Sequence, residues 1–450
     1  MKLIYLFFIL AIVISVCARN IHVKYERDVS DVDVNLIRNQ KAEYQLKRDF
    51  NHIDLLVKRI MRNRFSNNRD KLKPVLLIPG FGGSQLEQKQ TNTANEITDF
   101  DKKYCCSNNF DWSRTWISLT SLAPIIWNCF ANRISQNFNV SADIKWHDKN
   151  DVFTRVIPGL NGIEYLDPTN FFTRRESVYF AYTIFALQAA GYNSSTMDGI
   201  PFDWRLLPNV QENFYQQVKT TIEKMANYTN DKVVVISHSM GGEFMHYFFT
   251  NIVDNVWKTK YVNYWIPIAS PFGGAPMAIK SVLSGYNFGI PILTNHDGLM
   301  IGPNIGSSFY LMPKKCCKID WGTLVTTTSG KTFNATQLDK LMEYSKVSLG
   351  SQKYEYSSSI WSTADPGVDI KLVTGTLINT ESSYVYNDNN FSYGPTQILY
   401  GSGDGTVPEI SALLPKELGW NISATALFPG VDHVGILSNS LFLEWLINNL

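Results

Sequence analysis

Ser239, Asp404 and His433 are the residues of this chain whose types and order suit nucleophilic catalysis. A serine hydroxyl attacks only when a base takes its proton, and that base needs a carboxylate to hold its tautomer. In hydrolases built on a sheet the chain order is serine, acid, histidine. Ser239 stands in SHSMG, where Ser237 takes the place of the first glycine of G-x-S-x-G and Gly241 keeps the second. Of the seven histidines, His296 and His433 follow Ser239 at a distance, and His296 precedes the best acid candidate. His433, in ALFPGVDHVGI, is therefore the expected base. Asp404, on the glycine-rich turn GSGDGT, is the expected acid. Asp432 ranks second, being poorly placed to accept from its neighbour's ring.

These side chains need strands to carry them and turns to expose them. Val233 to Ile236 is a short run of β-branched residues, the pattern of a central strand in a parallel sheet covered on both faces. EFMHYFF follows the glycines with Phe244, Tyr247 and Phe248 at helical spacing, which gives strand, tight turn, helix. Gln397 to Tyr400 reads as the strand before Asp404, and Val75 to Ile78 as an early buried strand. The loop after that early strand holds Gly80, Gly82 and Gly83, where backbone approaches a substrate closely. With the Met240 N–H at the new helix, it is the expected source of oxyanion donors. It lacks the lysine and Ser/Thr of a phosphate-cradling P-loop.

The 450 residues are 44% hydrophobic and 18% charged, enough for one large core with insertions or for two domains. The 41 basic and 40 acidic residues give a net charge of +1, so no global field points to nucleic acid. The apolar run Leu3 to Val16, followed by Val16-Cys17-Ala18, reads as a signal peptide over 1–18. Sequons at Asn139, Asn193, Asn227, Asn334, Asn390 and Asn421 accord with passage through the secretory pathway. In that oxidising compartment Cys105 or Cys106 is expected to bridge to Cys129, closing a loop worth about 3 kcal/mol. No C-x-x-C pair or Cys/His cluster exists, so neither metal nor cofactor is expected.

Several blocks in one order, VLLIPGFGGSQLE, VIPGLNGIEYLDP, IPFDWRLLP, VVVISHSMGG, IPIASPFGGAP, GDGTV and the final loop histidine, resemble the lecithin:cholesterol acyltransferase family from about Pro74 onward. The resemblance implies an α/β-hydrolase fold whose serine takes a fatty acyl chain from glycerophospholipid and passes it to water or to a lipid alcohol such as a sterol or ceramide-like acceptor. It implies nucleophile Ser239, acid Asp404, base His433, oxyanion donors Met240 and Gly82, and a Cys106–Cys129 disulfide. The family often carries a bulky residue where Gly82 stands, which opens part of the donor role to Phe81. Cys316 and Cys317 stand adjacent, with no counterpart of a second family disulfide.

The chain thus divides into the signal peptide and an α/β-hydrolase domain over 19–450, with a lid and membrane-binding insertion at about 99–155 and a cap at about 275–368. Within the first insertion Trp112, Trp116 and Trp127 are expected to meet a phospholipid membrane or lipoprotein surface, since tryptophan favours the interface. Asp203, Trp204 and Arg205 are read as an internal ion pair beside a packed ring, and the segment from about Arg19 to Lys73 carries no chemical motif. Location is expected in the lysosomal lumen or outside the cell. A neutral-lipid lipase or carboxylesterase would share every catalytic residue, and a lipid-binding protein that had lost catalysis would need none of the three together.

Overall fold

In the computed structural model residues 29–66, 72–91, 110–118, 127–149, 151–287, 293–316, 318–388 and 390–450 are described. The expected signal peptide, together with Cys105, Cys106 and Cys317, lies outside the described residues.

The central sheet has six strands: β1 (Val75–Ile78), β2 (Met197–Gly199), β3 (Val233–His238), β4 (Val262–Ile268), β5 (Ile370–Thr376) and β6 (Ile422–Pro429). Their order is β6-β5-β4-β3-β1-β2, and every pairing is parallel. A parallel strand must be covered on both faces, and the alternation of side chains divides the core accordingly. Leu76, Ile78, Val233 and Val235 enter one hydrophobic cluster, while Val75, Leu77, Val234 and Ile236 enter the other. Helices fill the crossovers on both faces, which makes the fold that of an α/β-hydrolase.

The described part of the N-terminal segment that carried no motif is mostly one helix that covers the core. Helix α1 (Val29–Ser66) lays Ile53, Leu56, Val57 and Ile60 into the second cluster, at the i, i+3, i+4, i+7 spacing of one helical face. Helix α2 (Glu212–Thr229) covers the first cluster with Phe214, Val218, Ile222 and Met225. Helix α3 (Met240–Tyr247) follows β3 directly, and helix α4 (Ser440–Asn448) ends the chain against α1 through Phe442, Leu443, Leu446 and Ile447. Each such buried aliphatic or aromatic side chain contributes about 1.5–3 kcal/mol.

A third cluster lies off the sheet and joins Ile279, Val282, Phe309, Leu324 and Leu338 to Trp146, Leu207, Tyr384 and Tyr386. Its four-stranded sheet orders Thr332–Phe333, Val325–Thr327, Ile378–Tyr386 and Gln397–Gly403. The strand expected ahead of Asp404 is therefore the outer strand of this second sheet and no part of the central one. An antiparallel hairpin, 378–386 with 397–403, carries the chain out from β5 and back.

Two of the three tryptophans expected at a lipid surface are instead in the core. Trp116 and Trp127 are 4% and 3% exposed and belong to the first core cluster. Trp116 packs on Trp204 at 4.9 Å between ring centroids, and the Trp127 indole N–H donates to the Asp297 carbonyl at 3.0 Å. Trp112 is half-buried, with the Arg155 guanidinium 4.3 Å over its ring. On the edge strand Phe110–Trp116 successive side chains alternate faces, but Trp112 and Trp116 do not share an environment, because irregular pairing with Leu86–Gln90 interrupts the register.

Candidate active site

β3 delivers Ser239 at its carboxyl end, and α3 leaves from it at once. Ser239 has φ 54° and ψ −131°, a conformation that costs a side-chain-bearing residue on the order of 1–3 kcal/mol. The turn closes because its neighbours are small. A Cβ on Gly241 would lie 2.1 Å from the Pro79 carbonyl oxygen, and one on Gly242 would lie 2.0 Å from the Ser270 hydroxyl. Ser237 fits where the family motif has glycine because its hydroxyl accepts from the Trp265 indole N–H of β4, at 2.8 Å.

The three expected catalytic residues come together. His433 Nε2 lies 2.9 Å from Ser239 Oγ, and His433 Nδ1 lies 2.7 Å from Asp404 Oδ2. The carboxylate accepts from Nδ1–H, so Nε2 is left as the acceptor for the serine proton. Asp404 is fully buried, and its other oxygen accepts from the Thr406 and Val407 N–H groups at 3.0 and 2.7 Å. Burial by itself would raise the Asp404 pKa, but the His433 ring and these backbone donors outweigh it and hold the carboxyl below its ordinary range. The loop backbones are also joined, since the His433 N–H donates to the Asp404 carbonyl at 2.9 Å. Although Asp404 follows the hairpin strand, its bridge to Ile378 returns it to the end of β5, where a Cβ on Gly375 would meet its own Cβ at 3.1 Å. Asp432 instead accepts from the Gly435 N–H at 2.8 Å, and His296 is exposed; neither joins the group.

The glycine loop after β1 wraps the nucleophile. A Cβ on Gly80 would lie 2.6 Å from Ser239 Cβ, so only glycine fits there. The Gly83 N–H donates to the Gly80 carbonyl at 3.0 Å, and Gly82 takes φ 67°, which makes 80–83 a type II turn with glycine at its obligatory third position. The Gly82 carbonyl accepts from the Trp116 indole at 2.7 Å, so the buried tryptophan braces this loop from behind.

Tyr179 and His238 were missed as site residues. His238 lay in plain view inside SHSMG, but no local pattern marks Tyr179, which reaches the site from the segment before the helix Ala181–Ala189. Around the site Arg205, fully buried, pairs with Asp203 at 2.6 Å and Asp148 at 2.8 Å and donates to the Ile134 carbonyl, in keeping with the structural role read for this tripeptide. Cys129 is disulfide-bonded, and Cys316 is free and half-buried.

A strained serine after a parallel strand, a histidine within reach and a buried carboxylate behind it define a serine hydrolase on an α/β-hydrolase fold. The family model for lecithin:cholesterol acyltransferase matches residues 110–347, more than half of the chain, and the chain belongs to that family and is an enzyme of it. It is 28% identical over 395 residues to the Bos taurus "Lysosomal phospholipase A and acyltransferase", covering 83% of this chain and 90% of the relative. It is 27% identical over 383 residues to the Gallus gallus "Phosphatidylcholine-sterol acyltransferase", covering 82% and 88%. To the Arabidopsis thaliana "Lecithin-cholesterol acyltransferase-like 1" it is 25% identical over 396 residues, covering 84% and 89%.

Proposed function

We propose that this enzyme removes a fatty acyl chain from glycerophospholipid through an acyl-enzyme on Ser239 and passes it to water or to a lipid alcohol. The observation that carries the reading is the hydrogen-bonded series Ser239, His433, Asp404 at 2.9 and 2.7 Å in a chain of this family. Ser239 Oγ attacks the ester carbonyl carbon while its proton passes to His433 Nε2, and Asp404 stabilises the imidazolium that results. The carbonyl oxygen gains charge and is met by the Met240 N–H and by an N–H of the turn at Phe81 and Gly82. Gly80 is not that donor, because its N–H is committed to the Tyr179 hydroxyl. As the tetrahedral adduct collapses, His433 returns the proton to the departing lysophospholipid oxygen. Water or a lipid alcohol, deprotonated by His433, then attacks the acyl-enzyme, and Ser239 recovers its proton.

Passage through the secretory pathway to a lysosome or the cell exterior is supported by the sequons, since Asn139, Asn193, Asn227, Asn334, Asn390 and Asn421 are all exposed. Pairing of Cys106 with Cys129 fits a Cys129 already in disulfide linkage. No helix among the described residues is long and apolar enough to cross a membrane. Contact with a lipid surface is assigned to the insertion at about 99–155 through Trp112, since Trp116, Trp127 and Trp146 of that insertion are in the core, with the segment at about 275–368 serving as cap.

The test uses purified protein, phospholipid vesicles carrying a labelled acyl chain, added sterol or ceramide, and Ser239→Ala as the control. Label moving to water or to the alcohol in wild type alone supports the proposal. No release from phospholipid, with hydrolysis of neutral esters intact, replaces it with the lipase or carboxylesterase reading.

A further inference from the structure

The two site residues that sequence reading missed form a continuous hydrogen-bond path. The Gly80 N–H donates to the Tyr179 hydroxyl oxygen at 2.8 Å. Tyr179 Oη lies 2.7 Å from His238 Nδ1, and His238 Nε2 lies 2.8 Å from the His433 carbonyl oxygen. All of these groups are buried. The chemistry of the ends fixes every proton between them. A carbonyl oxygen accepts only, so His238 carries its proton on Nε2; Nδ1 is then an acceptor, and the Tyr179 hydroxyl donates to it. That leaves the phenol oxygen to accept from Gly80. Burial, reinforced by the His433 ring 4.8 Å away, pushes the His238 pKa down to about 3, which keeps this tautomer neutral.

The path joins the three segments that bear the reacting atoms. Gly80 heads the turn that meets the oxyanion, His238 immediately precedes the nucleophile, and His433 is the base. His433 is gripped on both sides of its peptide unit, by Asp404 through its N–H and by His238 through its carbonyl. Room for the phenol is built in, since a Cβ on Gly83 would fall 2.6 Å from the Tyr179 ring.

We infer that Tyr179 and His238 are positioning residues, which lock the oxyanion turn and the backbone of the base loop in register with Ser239. His238 is not a reserve base, because both of its ring nitrogens are engaged. Tyr179 also withdraws the Gly80 N–H from the oxyanion and so assigns that role to the residues after it. Misplacement of catalytic groups by about 1 Å costs up to about a hundredfold in rate.

The inference rests on the triad chemistry proposed above and not on the identity of the lipid, so its test uses a soluble short-chain nitrophenyl ester and fluorophosphonate labelling of Ser239. Tyr179→Phe deletes the central hydroxyl without opening a cavity. It is expected to lower kcat by about tenfold to a hundredfold, with KM within about twofold and an unchanged circular dichroism spectrum. His238→Gln keeps a donor toward His433 and an acceptor toward Tyr179 and is expected to retain kcat within about threefold, whereas His238→Leu loses as much as Tyr179→Phe. The double variant Tyr179→Phe/His238→Leu is expected to lose no more than either alone, since one path is broken once. Wild-type kcat in folded Tyr179→Phe overturns the inference, and so does equal loss in the Gln and Leu variants. Absence of labelling in the wild type would instead strike the triad reading itself.

Discussion

Glu243 stands on the first turn after the nucleophile and is 1% exposed. One carboxyl oxygen accepts from the Tyr310 hydroxyl at 2.9 Å, and the other has no hydrogen-bond partner among the described residues. Burial pushes its pKa up to about 7, with the ammonium of Lys314 and the Tyr310 hydroxyl pulling the other way. Lys314 is buried too, bonded to the Tyr310 carbonyl and lying 4.0 Å over the Tyr310 ring. Because the folded pKa lies above the unfolded value of 4.5, the folded protein holds a proton that the unfolded chain has released. The resulting stabilisation is present in full below pH 4.5 and is lost as pH rises to 7. At about 1.4 kcal/mol for each pH unit of the interval, it totals about 3 kcal/mol. Lys314 has the opposite sign: burial pushes it down to about 8, and its contribution, present above 10.5, is lost as pH falls through 8, outside the Glu243 window. With an unfolding entropy of about 2.1 cal/mol/K per residue, loss of about 3 kcal/mol corresponds to about 3 °C in Tm for a chain of this size. Glu243→Gln keeps an acceptor for Tyr310 and cannot ionise. Between pH 5 and pH 7, where about 2 kcal/mol of that total is lost, scanning calorimetry is expected to show wild type losing about 2 °C more than the variant. The same fall in both, within about 0.5 °C, would refute a neutral buried Glu243.

Asp404→Asn presents an N–H to the triad histidine and turns its proton toward Ser239; kcat on a soluble ester is expected to fall on the order of ten-thousandfold, with Tm little changed. Arg205→Ala leaves Asp203 and Asp148 without their buried cation and is expected to cost about 3–5 kcal/mol in urea unfolding; a loss under about 1 kcal/mol would mean that the carboxylates find water. Trp112→Ser is expected to weaken binding to phospholipid vesicles while soluble-ester hydrolysis stays nearly intact, and equal loss in both assays would return Trp112 to a purely structural part. Gly241→Ala, with its Cβ driven to 2.1 Å from the Pro79 carbonyl, is expected to abolish fluorophosphonate labelling, and full labelling would sink the account of the elbow.

What the sequence determined by itself was whatever depends on near neighbours along the chain. Val233–Ile236 announces a strand covered on both faces, because continuous β-branched residues suit no half-exposed element. Small residues around Ser239 announce the elbow, because backbone there has no room for side chains. The order of Ser239, Asp404 and His433 followed from how few histidines the chain offers. Only the tertiary structure decided which surfaces met. The same aromatic residue suits a core or an interface, so it took the packing of Trp116 against Trp204 and Gly82 to turn the expected lid tryptophan into a brace for the oxyanion turn. Gln397–Gly403 has strand character in either sheet, and hydrogen bonds to 378–386, not local pattern, put it in the second. Helix α1 found cover for its apolar stripe only when the helix Ala181–Ala189 and α4, the latter nearly four hundred positions away, were brought against it. Tyr179 gave no signal at all, since its hydroxyl gains meaning only from Gly80 and His238, brought to it from 99 and 59 residues away. Propensity and spacing are local quantities, whereas the partner of a buried polar group is fixed by the whole fold.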